Sequence, residues 1–190
     1  MIRNLARDAR GFTSNAFLVE GERTALVDAG NEFDVVGRVH EHADDLDAVV
    51  LTHTHPDHVG TVGALREAFG VETWGFDSDH PAVDHRLGDG ETVRLGDEAY
   101  RTLHTPGHAA DHLCLYSDSV LFAGDLVFSG GAFGRTDLEG ADRATLVDSI
   151  DRLLGTVDEE LAEMHTGHGP SVTDRPYATI ELAAQVARTG

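Results

Sequence analysis

Lysine is missing altogether: the 190 residues contain 14 basic side chains, all arginine, against 34 aspartates and glutamates, for a formal charge of −20. A chain this negative repels nucleic acid and, at low ionic strength, repels itself. Nucleic-acid binding therefore leaves the list of candidate functions. Cysteine is almost as scarce. Cys114 stands alone, which excludes an intrachain disulfide. Its apolar setting in HLCLYS predicts that it packs as a small hydrophobe. No stretch approaches the 18 or so consecutive apolar residues a membrane helix needs. The charged start MIRNLARDAR leads into no apolar signal segment, so the expected location is the cytoplasm, away from any membrane.

What is present suits a single core. With 41% hydrophobic residues, the chain is long enough for one well-filled domain over residues 1–190 and short for two. The missing lysine and the acid excess together resemble the composition of proteins from salt-loving archaea, whose carboxylate-rich surfaces stay hydrated in concentrated salt. Alternating apolar residues predict strands over 15–20 and 24–28 around a Gly21-Glu22 turn, a buried strand over 47–51, and a second set over 99–104, 112–117, 120–123 and 161–165. Helical spacing predicts helices near 34–43, after residue 58, over 143–154 with Asp142 as N-cap, and from Pro176 to about 188. Residues from Phe76 to about Asp97, rich in Asp, His and Gly, read as irregular or edge structure. Pattern alone gives a mixed α/β protein.

The chemistry is concentrated in LTHTHPDHVG, where His53, His55, Asp57 and His58 fall within six residues. In extended backbone, residues i and i+2 share a side, so His53 and His55 can reach one ion. Asp57 and His58 then face elsewhere, at the start of a helix. This spacing suits two adjacent cations, because imidazole and carboxylate are the natural ligands of divalent metals. His108 in TPGHAADH, Asp125 in FAGD and His168 in TGHGP follow in usable order.

Together these elements resemble the metallo-β-lactamase superfamily from about Phe12 to Pro170. The resemblance implies a four-layer α/β/β/α sandwich. Two divalent metal ions are implied with it, zinc first and iron or manganese as alternatives. His53, His55 and His108 would hold one ion, Asp57, His58 and His168 the other, and Asp125 would bridge them. Asp28 resembles the family's aspartate behind the metal loop, and His112 is a candidate for the same supporting role.

Within the superfamily, LFAGDLVFSGGAFGRTDLEG resembles small glyoxalase II-like hydrolases and the related persulfide dioxygenases. The first implies thioester cleavage by a bridging hydroxide, with Asp57 orienting the water or taking its proton. A small-molecule thioester or thiol adduct would be the partner. Full-length glyoxalase II adds a C-terminal helical domain that helps hold glutathione, so the resemblance does not extend to glutathione as the thiol. The second implies a mononuclear iron oxidoreductase using His53, His108 and Asp125. Lactonases and other hydrolases of the fold form a third class, and a non-catalytic metal module a fourth. Flavin-linked diiron reductases are disfavoured because His55 stands where they resemble one another in using glutamate. Gly130, Gly131 and Gly134 read as a flexible turn. Arg135 is a candidate contact for a substrate carboxylate, with a structural salt bridge as the alternative. The acyl group, the carrier thiol and the oligomeric state stay open at this stage.

Overall fold

Apolar side chains alternate along β4 (Ala48–Val50) between two different neighbours, and that alternation sets the layering. In the computed structural model, which describes residues 1–189, Val49 and the following Leu51 pack against Val35, Val39 and Leu65. Ala48 and Val50 turn the other way, onto Leu115 and Phe122. A strand buried on both faces needs cover on both sides. The same division runs along β10 (Val120–Gly124): Leu121 and Ala123 join Leu146, Ile150 and Ile180, while Val120 and Phe122 face the first sheet. Three apolar clusters thus separate four layers. Helices α1 (Val35–His40) and α3 (Val62–Phe69) cover one sheet, and α4 (Arg143–Leu154) and α5 (Pro176–Thr189) cover the other, giving the expected α/β/β/α sandwich.

The first sheet runs β1 (Ile2–Asn4), β2 (Phe17–Val19), β3 (Ala25–Val27), β4, β5 (Thr73–Gly75), β6 (His85–Arg86), antiparallel up to β3 and parallel thereafter. The second runs β11 (Glu163–Thr166), β10, β9 (Leu113–Tyr116), β8 (Glu98–His104), β7 (Thr92–Leu95), and only β10 and β11 are parallel. The parallel pairs matter for function. Because β3 and β4 point one way together, as do β10 and β11, the loops leaving each pair emerge at one edge, where side chains converge.

Most predicted elements appear where the pattern puts them. Helix α4 spans residues 143–154, and the Asp142 carboxylate accepts the Thr145 N–H as its cap. Strands β6 and β7 form the outer edges of the two sheets, as the 76–97 composition suggested. Two features differ. Strand β1 was not anticipated, because three half-buried residues in a charged opening carry no periodicity and only pairing with β2 makes them a strand. The single helix expected after residue 58 is two, α2 (Pro56–Val59) and α3, parted at Gly60 and Thr61. Cys114 is fully buried, and burial pushes its thiol up to about 12. Among the described residues no helix is long and apolar enough to cross a membrane.

Candidate metal centre

Asp28, at the end of β3, holds the site from behind. Its backbone is left-handed, with φ of 57°. Its buried carboxylate accepts the Thr52 N–H at 2.8 Å, the Thr52 hydroxyl at 2.8 Å and the His58 Nδ1–H at 2.9 Å. These bonds fix tautomers. Thr52 gives its hydrogen to Asp28, so its oxygen accepts from His53 Nδ1 at 3.1 Å, leaving His53 Nε2 as a bare lone pair. His108 Nδ1 lies 2.9 Å from the Arg135 carbonyl, which only accepts, so His108 Nε2 is bare as well.

Those lone pairs converge. His53 Nε2 and His108 Nε2 each lie 3.0 Å from His55 Nδ1. Three nitrogens sharing at most one proton make an imidazole triad of the kind that ligates a divalent cation. On the first turn of α2, Asp57 and His58 meet His168 from the loop after β11. His168 Nε2 is 3.0 Å from Asp57 Oδ2, and His58 Nε2 is 3.9 Å from it. Asp125, just beyond β10, lies between the two groups. Its Oδ2 is 3.4 Å from His108 Nε2 and 3.5 Å from His168 Nε2, and its Oδ1 is 3.4 Å from His58 Nε2. All seven sequence-predicted donors therefore meet in one place.

Charge and satisfaction agree with that geometry. Asp28, Asp57 and Asp125 are each no more than 6% exposed. Among the described residues their only basic partners are histidines. Burial alone would raise the Asp125 carboxyl, but the adjacent His168 and His58 imidazoles hold it far below the carboxylate range. Burial would likewise lower His58 and His168, yet Asp28 and Asp125 hold His58 at about 10, and Asp125 and Asp57 hold His168 at about 9. The three buried carboxylates thus favour positive charge on the groups facing them. His58 Nε2 and Asp125 Oδ1 are buried with no hydrogen-bond partner. Such atoms are costly unless something else binds them. The donor set fits two divalent ions.

His112 is no donor to this cluster. Its Nδ1 bonds the Thr105 hydroxyl at 2.8 Å and its Nε2 accepts the backbone N–H of Asp125 at 3.0 Å, so it orients Asp125. Burial pushes it down to about 3, which keeps it a neutral acceptor. Arg135 forms the salt bridge that was the alternative reading: Nε and Nη2 bind Asp137 at 2.9 and 2.8 Å, both side chains well exposed. The glycine-rich run is less free than expected. Residues 129–131 form a 3₁₀ turn packed on α5, and a Cβ on Gly134 would strike the Asp125 carbonyl.

Sequence reasoning missed several supports. Thr52 and Thr105 set imidazole tautomers, and Asn15 Nδ2 ties the His168 loop through the carbonyls of Thr166 and Gly169 at 2.8 and 2.9 Å. A threonine flanking a histidine cluster was the one available signal. Gly107 precedes His108 at φ of 132°, and a Cβ there would strike the backbone of Leu146 in α4. Gly107→Ala should lower the unfolding free energy by about 3 kcal/mol through strain and overpacking, read by denaturant titration. An unchanged midpoint would refute the close contact. The other six histidines lie elsewhere, among them His104 stacked on Phe76, His85 on Trp74, His40 beside Phe69, and His165 beside Phe17 and Phe122.

The donors open into a cavity of about 610 Å³. Phe12, Pro56, Phe128, Leu138, Arg135 and Glu139 form the rest of its wall. A reaction centre at the floor of an apolar cleft is the usual layout of a small-molecule site.

Comparison with known proteins agrees with the fold. The hydroxyacylglutathione hydrolase GloC of Haemophilus influenzae is 31% identical over 85% of this chain and 88% of its own. The hydroxyacylglutathione hydrolase of Aliivibrio fischeri is 34% identical over 80% of this chain, which spans only 60% of that protein. Among solved structures, ETHE1 from Myxococcus xanthus superposes with a TM-score of 0.80 at 25% identity, covering 99% of this chain and 90% of that one. TTHA1623, solved in a di-iron-bound form, gives 0.76 at 31% identity over 97% of both chains. A family model matches residues 9–174, and by that match this chain belongs to the metallo-beta-lactamase superfamily.

Proposed function

We propose that this protein is a dinuclear metallohydrolase that cleaves acyl thioesters of a small thiol. One observation carries the reading: Asp125 lies within 3.5 Å of nitrogens from both donor groups, the position of a bridging carboxylate. His53, His55 and His108 would hold one ion, Asp57, His58 and His168 the other. Zinc is the proposed metal, since imidazole-rich sites suit it, with iron or manganese as alternatives. When bound, such a pair would bring a shared water toward neutral pKa, polarise the thioester carbonyl and steady the departing thiolate.

The chain's own residues do the rest. Asp57 is kept anionic against its burial by His168, which leaves its carboxylate able to orient the attacking water and accept its proton. Thr52 and the Arg135 carbonyl hold His53 and His108 with lone pairs inward, so the donors need no rearrangement. Phe12 and Phe128 flank His168, with ring centroids 6.1 and 6.2 Å from its imidazole, and give the cavity an apolar wall on that side. Thr52→Val removes the hydroxyl that sets the His53 tautomer and should weaken zinc binding by 10- to 100-fold, an order-of-magnitude range measurable by chelator competition. Wild-type affinity in that variant would refute the tautomer argument.

Protein purified in high salt should contain about two zinc ions per chain and hydrolyse thioesters without consuming oxygen. A second reading, a mononuclear iron persulfide dioxygenase, draws on the ETHE1 likeness and on the Gly134-Arg135-Thr136-Asp137 segment. About one iron per chain with persulfide-dependent oxygen uptake would overturn the first reading in its favour.

A further inference from the structure

Helix α2 has four residues, too few for its carbonyls to find partners inside it, so they must be satisfied from outside. The segment from Phe12 to Asn15 provides one such partner: the Ser14 N–H donates to the Asp57 carbonyl at 3.1 Å. The next residue turns to the loop after β11. Asn15 donates its backbone N–H to the Gly167 carbonyl at 2.7 Å, and its side-chain amide nitrogen donates to the carbonyls of Thr166 and Gly169 at 2.8 and 2.9 Å. At the other end of the segment the Phe12 ring lies over the His168 imidazole, with centroids 6.1 Å apart. One short segment therefore fastens the backbone on both sides of the Asp57–His168 contact.

The Asn15 amide is itself held in place. Its oxygen accepts from Asn4 Nδ2 at 2.8 Å, and the Asn4 oxygen accepts the Ala6 N–H at 2.9 Å. With one donor and two carbonyls fixed around it, the amide has a single orientation that satisfies all of its groups. Strand β1 thus reaches the His168 loop through two side-chain amides. The loop has little room to shift, since a Cβ on Gly167 would strike the Asp125 carboxylate. The other triad has no share in this support. Among the described residues, no hydrogen bond from residues 12–15 reaches His53, His55 or His108. His53 and His108 are oriented instead by Thr52 and by the Arg135 carbonyl.

From these contacts we infer that Asn15 is a positioning residue for the Asp57–His58–His168 triad and not for the three-histidine triad. The two metal subsites are then supported unequally: one by groups in or beside its own loops, the other by an amide clamp reaching across from β1. The effect on metal rests on the two-ion part of the proposed function, whereas the effect on the loop does not. The chemistry of the substrate does not enter.

The test titrates zinc-loaded protein in high salt with a competing chelator, and cobalt-substituted protein tells the two subsites apart by their absorption bands. Asn15→Ala should weaken the ion at Asp57, His58 and His168 by about tenfold, the lower end of the range for outer support of a ligand, because the backbone N–H of residue 15 keeps its bond to Gly167. The ion at His53, His55 and His108 should hold within about twofold. Asn4→Ala frees the Asn15 amide without removing it, and should give a smaller loss on the same side. Amide hydrogen exchange of the metal-free chain reads the loop itself. Residues 167–169 should exchange about fivefold faster in Asn15→Ala, the effect of about one hydrogen bond, with residues 52–54 unchanged. Equal weakening of both ions, no weakening of either, or exchange at 167–169 that is unchanged or rises equally at 52–54 would overturn the inference. A wild type that holds a single ion would remove the dinuclear reading, and faster exchange confined to 167–169 would then keep the inference.

Discussion

Asp125→Ala, prepared with excess zinc, is expected to retain about one ion per chain or fewer and to lose thioester turnover by roughly 10³-fold or more. The size of the effect follows from position. His55 serves one side of the site with one half-buried neutral nitrogen, whereas the two oxygens of Asp125 approach His58, His108 and His168 together. Removing that carboxylate takes a donor from both ions and the negative charge that lets two cations sit close. Folding should survive, because the Asp125 backbone N–H keeps its bond to His112 and the side chain's neighbours are the donors themselves. Circular dichroism and a denaturant titration separate loss of site from loss of fold. Two zinc ions per chain in this variant would remove the bridging role and the mechanism with it.

The donor atoms were legible because their chemistry is unusual enough to stand out in a line of text. Four ligand-type residues in six positions, then His108, Asp125 and His168 beyond strand ends, carry a signal that no core residue imitates. The four-layer fold was legible through resemblance, since alternation along a strand does not say that Val49 and Val50 face different layers. Supports were legible only in part. Asp28 carried a family likeness, but Thr52 and Asn15 act through one hydroxyl and one amide, groups that serve as turn residues throughout most chains. Nor could the sequence decide which part of Arg135 matters to the centre: its carbonyl orients His108 while its side chain turns to Asp137. Backbone groups leave no mark in a sequence. Glycine marks them only indirectly, as Gly134 does by leaving room against the Asp125 carbonyl.

Removal of the ions should destabilise the protein in a pH-dependent way. At free zinc about 1,000-fold above its dissociation constant, one site contributes about 4 kcal/mol, so chelation should lower the melting temperature by roughly 10 °C for a chain of this size. The two sides of the centre then respond differently to protons. In the stripped protein His58 and His168 titrate at about 10 and 9, above the ordinary imidazole value. The stability they lend is full below that ordinary value and is lost as pH rises through 9 to 10. Binding an ion at Asp57, His58 and His168 must expel their protons, so the stability gap between loaded and stripped protein should widen steadily from pH 6 to 8. His53 and His55 are displaced downwards, His53 by burial and then by His58, His55 by burial and then by His108. That shift favours their neutral form, so they release fewer protons on binding than His58 and His168 do. Acidification should therefore empty the Asp57–His58–His168 side first and leave the His53–His55–His108 side occupied, a sequence that zinc analysis across pH or the absorption bands of a cobalt-substituted protein can follow. Simultaneous loss of both ions, or loss from the three-histidine side first, would contradict the charge balance read from these two triads.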